Sequence, residues 1–178
     1  MLAQGETGWQ AFPSLRMGPD PAHPHGDQHR RCFAFEADFV NDLRCLPMAV
    51  RRKLDLAGVK LKLAQWHGLE PAEREELLAW PDNATAIAEL RCWLVERSAA
   101  LPGGPARTME PATGASWQQS GPPPAELLAS CEQLGLSLPL QGWGELEELQ
   151  RFALVKLSHP GHEHRNLPHA LEEFGLLD

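Results

Sequence analysis

The sequence predicts an all-α fold: two duplicated short-helix units packed about a pseudo-twofold axis around one shared core. Three observations carry this prediction. First, Pro47–Trp80 matches Pro124–Leu157 at a constant offset of 77 residues without a gap. The identities are Pro47/Pro124, Gly58/Gly135, Leu61/Leu138, Leu63/Leu140, Trp66/Trp143, Leu69/Leu146, Glu70/Glu147, Arg74/Arg151 and Leu77/Leu154. Chance gives roughly two or three in a Leu-rich window, so the pattern reads as a duplication. Second, each window opens on proline, which fits the first turn of a helix because its missing N–H would have no partner there. Third, each places a glycine where a helix would stop in the left-handed conformation.

Each element follows in order. After Pro47, Val50, Leu54 and Ala57 recur at i, i+4 and i+7, matched by Leu127, Cys131 and Leu134, giving one apolar face of a short helix. Gly58 and Gly135 end these helices. A short extended L-x-L follows, then L-x-x-W-x-x-L (Leu63, Trp66, Leu69; Leu140, Trp143, Leu146), a further helical turn or two. Glu70, before Pro71, and Glu147 put negative charge at the start of the next helix, where the dipole favours it. A fourth helix, capped by Asp82, carries Ile87, Leu90 and Leu94 inward; Leu167, Leu171 and Phe174 form its counterpart. The alternative is an α+β fold with short strands at FAFE and VKLKL.

The units then span 32–98 and 125–178. Residues 1–31 hold four prolines and three histidines, and residues 99–124 hold six prolines and four glycines. Neither stretch has the apolar content to offset ordering costs of about 1–2 kcal/mol per residue. They read as a disordered tail and a linker.

A hydrophobic fraction of 43% and a charged fraction of 22% suit a soluble globular protein. No apolar run reaches membrane-spanning length and no signal peptide is recognisable, so a cytoplasmic protein is expected. Cys32, Cys45, Cys92 and Cys131 form no C-x-x-C pair, which favours reduced thiols over a zinc site or a disulfide scaffold. The net charge of −8 opposes nucleic-acid binding. That charge is uneven. Arg44, Arg51, Arg52, Lys53, Lys60 and Lys62 accompany one acid, Asp55, so the segment is +5 and the remainder −13. Such an island fits an acidic partner surface or a phosphate-bearing ligand. Helical spacing turns Arg51 and Arg52 outward and leaves Lys53 at the edge of the buried stripe.

Two blocks name a pathway. Phe33–Trp66 (FAFEADFVNDLRCLPMAVRRKLDLAGVKLKLAQW) and Leu149–Leu176 (LQRFALVKLSHPGHEHRNLPHALEEFGL) cover about a third of the chain. In phrases such as LRCLPM, VRRKLD and LQRFALVKLS the chain resembles the cyanobacterial nitrate-reductase-associated proteins, also called nitrate reductase maturation proteins. The resemblance implies an accessory factor for assimilatory, molybdenum-dependent nitrate reductase. Its implied partners are the apoenzyme and proteins bearing the molybdenum cofactor, with no cofactor of its own. On this reading the basic island is the docking surface, chaperone-like in action, and the protein is not an enzyme.

The rivals rest on particular residues. Cys45, beside Arg44 and just before a helix, has the setting of an activated thiol and would serve a sulfur or cofactor transferase. A small buried residue at a helix entry explains it better. A third reading is a permanently bound small subunit of the reductase. His159, His162, His164 and His169, with Glu163, surround a Pro/Gly turn; a capped turn, with Asn166 as the cap, accounts for them better than a metal site. The tail histidines His23, His25 and His29 could bind metal adventitiously, and no functional reading is built on them. Trp66, Trp80 and Trp143 belong in the core, whereas an exposed Trp93 or Trp117 would mark a docking surface. No phosphate loop, H-E-x-x-H or G-x-S-x-G motif occurs.

Overall fold

The structure, a computed structural model, describes residues 32–159 and 165–177. The predicted tail at 1–31 lies outside the described residues. The chain is mostly helical: α1 Ala37–Val40, α2 Met48–Ala57, α3 Leu63–Gly68, α4 Pro71–Ala79, α5 Ala84–Ser98, α6 Ala125–Gln133, α7 Leu140–Glu145, α8 Glu148–Leu157 and α9 Asn166–Glu173. Among the described residues the only strands are β1 Val59–Lys60 and β2 Arg107–Thr108, paired antiparallel with Val59 opposite Thr108 and Lys60 opposite Arg107.

The helix boundaries fall where the punctuation places them. Pro47 and Pro124 are the N-caps of α2 and α6, and Gly58 and Gly135 adopt φ +62° and +69°. Glu70 and Glu147 cap α4 and α8. The fourth helix differs in detail. Its cap is Asn83, whose side chain accepts the Ala86 N–H at 3.0 Å, while Asp82 is drawn away to pair with Arg52. Asn166 is likewise no cap; Arg165 precedes it in helical conformation, and Asn166 is already inside α9.

FAFE is not a strand. Phe33 donates its backbone N–H to Glu36 Oε1, and Ala34 and Phe35 donate theirs to Glu173, which closes a 3₁₀ turn at Ala34–Glu36. Of VKLKL only Val59–Lys60 forms a strand, because Lys62 already caps α3.

The core divides into two apolar clusters. One gathers Val50, Leu54, Ala57, Trp66, Leu69, Leu77, Leu90 and Leu94. The other gathers Met48, Ala49, Leu127, Trp143, Phe152, Leu154, Leu167 and Leu171. Helix α2 faces both, packing on α5 and on α8, and Leu56 and Leu78 touch both clusters. The segment 99–124 is more than a linker. Leu101 joins the first cluster, Trp117 is buried in the second, and the Ser98 hydroxyl accepts the Ala106 N–H at 2.8 Å. No described helix is long and apolar enough to cross a membrane.

Candidate functional site

Because α2 is buried on two sides, the basic island splits. Lys53 is 1% exposed, and its Nζ donates to the carbonyls of Leu77, Leu78 and Trp80 at 2.8–2.9 Å. These carbonyls close the C-terminal end of α4, where the helix dipole attracts a cation. Arg52 is 8% exposed and spans the seam between units, with Glu148 at 2.6 Å and Asp82 at 2.8 Å. The outward placement expected for Arg52, and the edge placement expected for Lys53, are therefore wrong. The i, i+4, i+7 spacing gives α2 one apolar stripe, whereas the helix packs on both α5 and α8. Arg51 is half-buried and donates through Nε to Leu46 O at 3.0 Å. Arg44 is exposed but engaged by Asp42 at 2.8 Å.

Lys60 and Lys62 remain exposed and without an ion-pair partner among the described residues. The antiparallel register sets Arg107, also exposed, directly opposite Lys60. Arg107 lies 47 residues along the chain in the segment read as a linker, so only strand pairing reveals it. The signal for it was the VKLKL alternation, which demanded a partner strand.

Other cations also serve backbone carbonyls. Arg91 Nη1 donates to Ala57 O and Gly58 O at the end of α2. Arg74 reaches Leu69 O and His67 O at the end of α3, and Arg151 reaches Leu146 O at the end of α7. Arg97 instead grips the Glu73 carboxylate with two nitrogens.

Cys45 is half-buried in the loop before α2, its backbone N–H bonded to Phe39 O at 3.1 Å. Cys32 is exposed and Cys131 buried; burial pushes both thiols up, and Glu36 adds to the rise at Cys32 while Lys53 opposes it. Cys32 borders a cleft of about 400 Å³ whose walls include Val40, Leu43, Arg74 and Leu78. His159 and His169 are exposed; His162, Glu163 and His164 lie outside the described residues. Among the described residues no group of three or more His, Cys, Asp or Glu side chains is placed to hold a metal ion. Trp80 is half-buried against Trp93, at 5.9 Å between ring centroids, and Trp117 is buried.

Fold and contacts together define a small helical protein built on two tryptophan-centred cores, in which Arg51, Lys53, Arg74, Arg91 and Arg151 turn to backbone carbonyls. The chain belongs to the family described as conserved nitrate reductase-associated protein, whose model matches residues 32–174. No curated protein and no solved structure matches it.

Proposed function

We propose that this protein is an accessory factor required for the activity of assimilatory, molybdenum-dependent nitrate reductase, acting by docking on the immature enzyme without turnover. The observation that carries this reading is the family match over 32–174, which takes in nearly the whole helical body. The exposed cations Lys60, Lys62 and Arg107, which have no ion-pair partner among the described residues, support docking on an acidic surface.

The test is a pull-down with tagged protein from wild-type cells and from a strain blocked in molybdenum-cofactor synthesis. Capture of the reductase only, or chiefly, in its cofactor-free form is the expected result. Equal, stoichiometric recovery with the mature enzyme would make the protein a permanent subunit instead. Loss of nitrate reductase activity in a stable, normally abundant Cys45→Ser variant would move the reading to a transferase.

A further inference from the structure

We propose that the β1–β2 ribbon is the anchor of the docking surface and that it takes an acidic segment of a protein partner carrying apolar side chains. This rests on the reading above and assigns it a place. Residues directly opposite in an antiparallel pair project to the same face, so Lys60 and Arg107 stand side by side. Lys62 and Met109, each two residues further along the chain from Lys60 and Arg107, are exposed as well, while Val59, 1% exposed, points to the core. Like charges directly opposed destabilise a ladder. Neither has an ion-pair partner among the described residues. An acidic group seated between them relieves that repulsion.

The apolar neighbours settle the class of partner. Met109 is 47% exposed and Leu63, next to Lys62, is 49% exposed. Arg107 and Met109 are of residue types enriched at protein interfaces, and the exposed Leu63 adds apolar surface next to Lys62. A nucleic acid needs an extended track of cations to displace counterions, and this chain offers a short patch on a body of net charge −8. The ribbon is held by backbone pairing and by the Met109 N–H to Gly58 O bond at 2.9 Å, and Lys62 caps α3 through its backbone N–H to Gln65. These three side chains are thus replaceable without touching the fold.

The experiment compares wild type with a Lys60→Glu, Lys62→Glu, Arg107→Glu variant, its fold checked by circular dichroism and thermal melting. Two probes are used: purified nitrate reductase apoprotein, and a synthetic peptide of alternating Glu and Leu. The triple variant should weaken both at least about tenfold, chiefly through the association rate. Binding of wild type should fade near 1 M salt, where the screening length is about 3 Å. The single Arg107→Glu change should exceed Arg44→Glu, whose position is already neutralised by Asp42. Ribbon-dependent peptide binding with no affinity for the reductase would keep the ribbon and remove the reductase as its partner. Reductase binding equal in wild type and variant would overturn the ribbon alone. Failure of wild type to bind either probe overturns both. A wild-type dimer that the triple variant dissolves would assign the face to a second copy and overturn the proposal.

Discussion

Trp66 and Trp143 sit at matching places in their units, and both are 0% exposed, yet their indole N–H groups meet opposite fates. Trp66 Nε1 donates to Leu43 O at 2.7 Å. Leu43 takes φ +53°, unusual for a non-glycine residue, and Arg74 donates to the same oxygen while lying 5.9 Å from the Trp66 ring centre. Trp143 Nε1 has no hydrogen-bond partner among the described residues. The position matching Leu43 is Ser120, and there Arg151 turns instead to Trp117 O at 3.0 Å. Trp117 in turn packs edge-on to Phe152 at 5.1 Å. Helices at matching positions thus enclose a hydrogen-bonded indole in the first half, and in the second an indole with no hydrogen-bond partner among the described residues. A pattern of identities sets where the elements begin and end. It does not set how their interiors are satisfied.

The widest gap between the units should appear at Lys53 and Ser130, which also match at the 77-residue offset. Both tie a first helix to the carbonyls ending the α4 or α8 helix: Lys53 to three of them, Ser130 to Ser158 O at 3.0 Å. Lys53→Met leaves those carbonyls without their donor and should cost about 3–5 kcal/mol, whereas Ser130→Ala should cost about 1 kcal/mol. Denaturant midpoints measure both, and equal costs would break the comparison. The same geometry means that reversing Arg51, Arg52 and Lys53 to Glu would unfold the chain rather than test docking.

The glycines come next. Alanine at Gly135 meets open space and carries only the left-handed penalty, about 1–2 kcal/mol. A Cβ at Gly58 would strike Met109 O and come within 2.6 Å of Arg91 Nη1 and 2.8 Å of Pro111 N. Backbone on the ribbon side would have to move, so Gly58→Ala should cost severalfold more and loosen β1–β2. Thermal melting of the two variants checks the order.

The tryptophans themselves give a finer test. Trp66→Phe removes a satisfied N–H and orphans part of the Leu43 carbonyl; Trp143→Phe removes an N–H with no hydrogen-bond partner among the described residues. With the change in ring size common to both, the difference isolates the hydrogen bond, about 1–2 kcal/mol against Trp66→Phe. A smaller cost at Trp66 would contradict the hydrogen-bonded picture.

These contrasts also show what the sequence could say. Pro47, Gly58, Glu70 and their partners at 124, 135 and 147 were legible because caps and stops follow local rules that one residue obeys. The burial of Arg52 was not, because it depends on α8 arriving beside α2, a contact between residues 96 apart in Arg52–Glu148, and that of Lys53 depends on the end of α4 folding back onto it. Trp117 was hidden for the same reason: a proline- and glycine-rich segment shows no periodicity, yet one large ring can anchor it. Of the six island residues, Lys60 and Lys62 stay exposed with no ion-pair partner among the described residues, and their neighbour Arg107 could be found only through strand register.

The smallest effect expected is in the pH profile, where two carboxylates shift in opposite directions. Glu36, 0% exposed, accepts the Phe33 and Met48 N–H groups at 3.1 and 3.0 Å and so ties the entry segment to the start of α2. Burial raises its carboxyl above the ordinary 4.5, outweighing those bonds and the nearby Arg51 charge. At Glu73 burial alone would do the same, but the hydrogen bonds and charge of Arg97, with the Glu70 N–H, bring it below 4.5. Where the folded state binds the proton more tightly, unfolding releases it, so stability falls as pH rises. For Glu36 that loss begins near 4.5 and is complete above its raised value. For Glu73 the sign reverses: its contribution is full above 4.5 and disappears as pH falls through its lowered value. Glu36→Gln should therefore flatten the decline on the alkaline side of 4.5, and Glu73→Gln the decline on the acid side. Denaturation midpoints across the acid range separate the two limbs, and a Glu36→Gln profile parallel to wild type above 4.5 would show that the buried carboxyl titrates as it does in the unfolded chain.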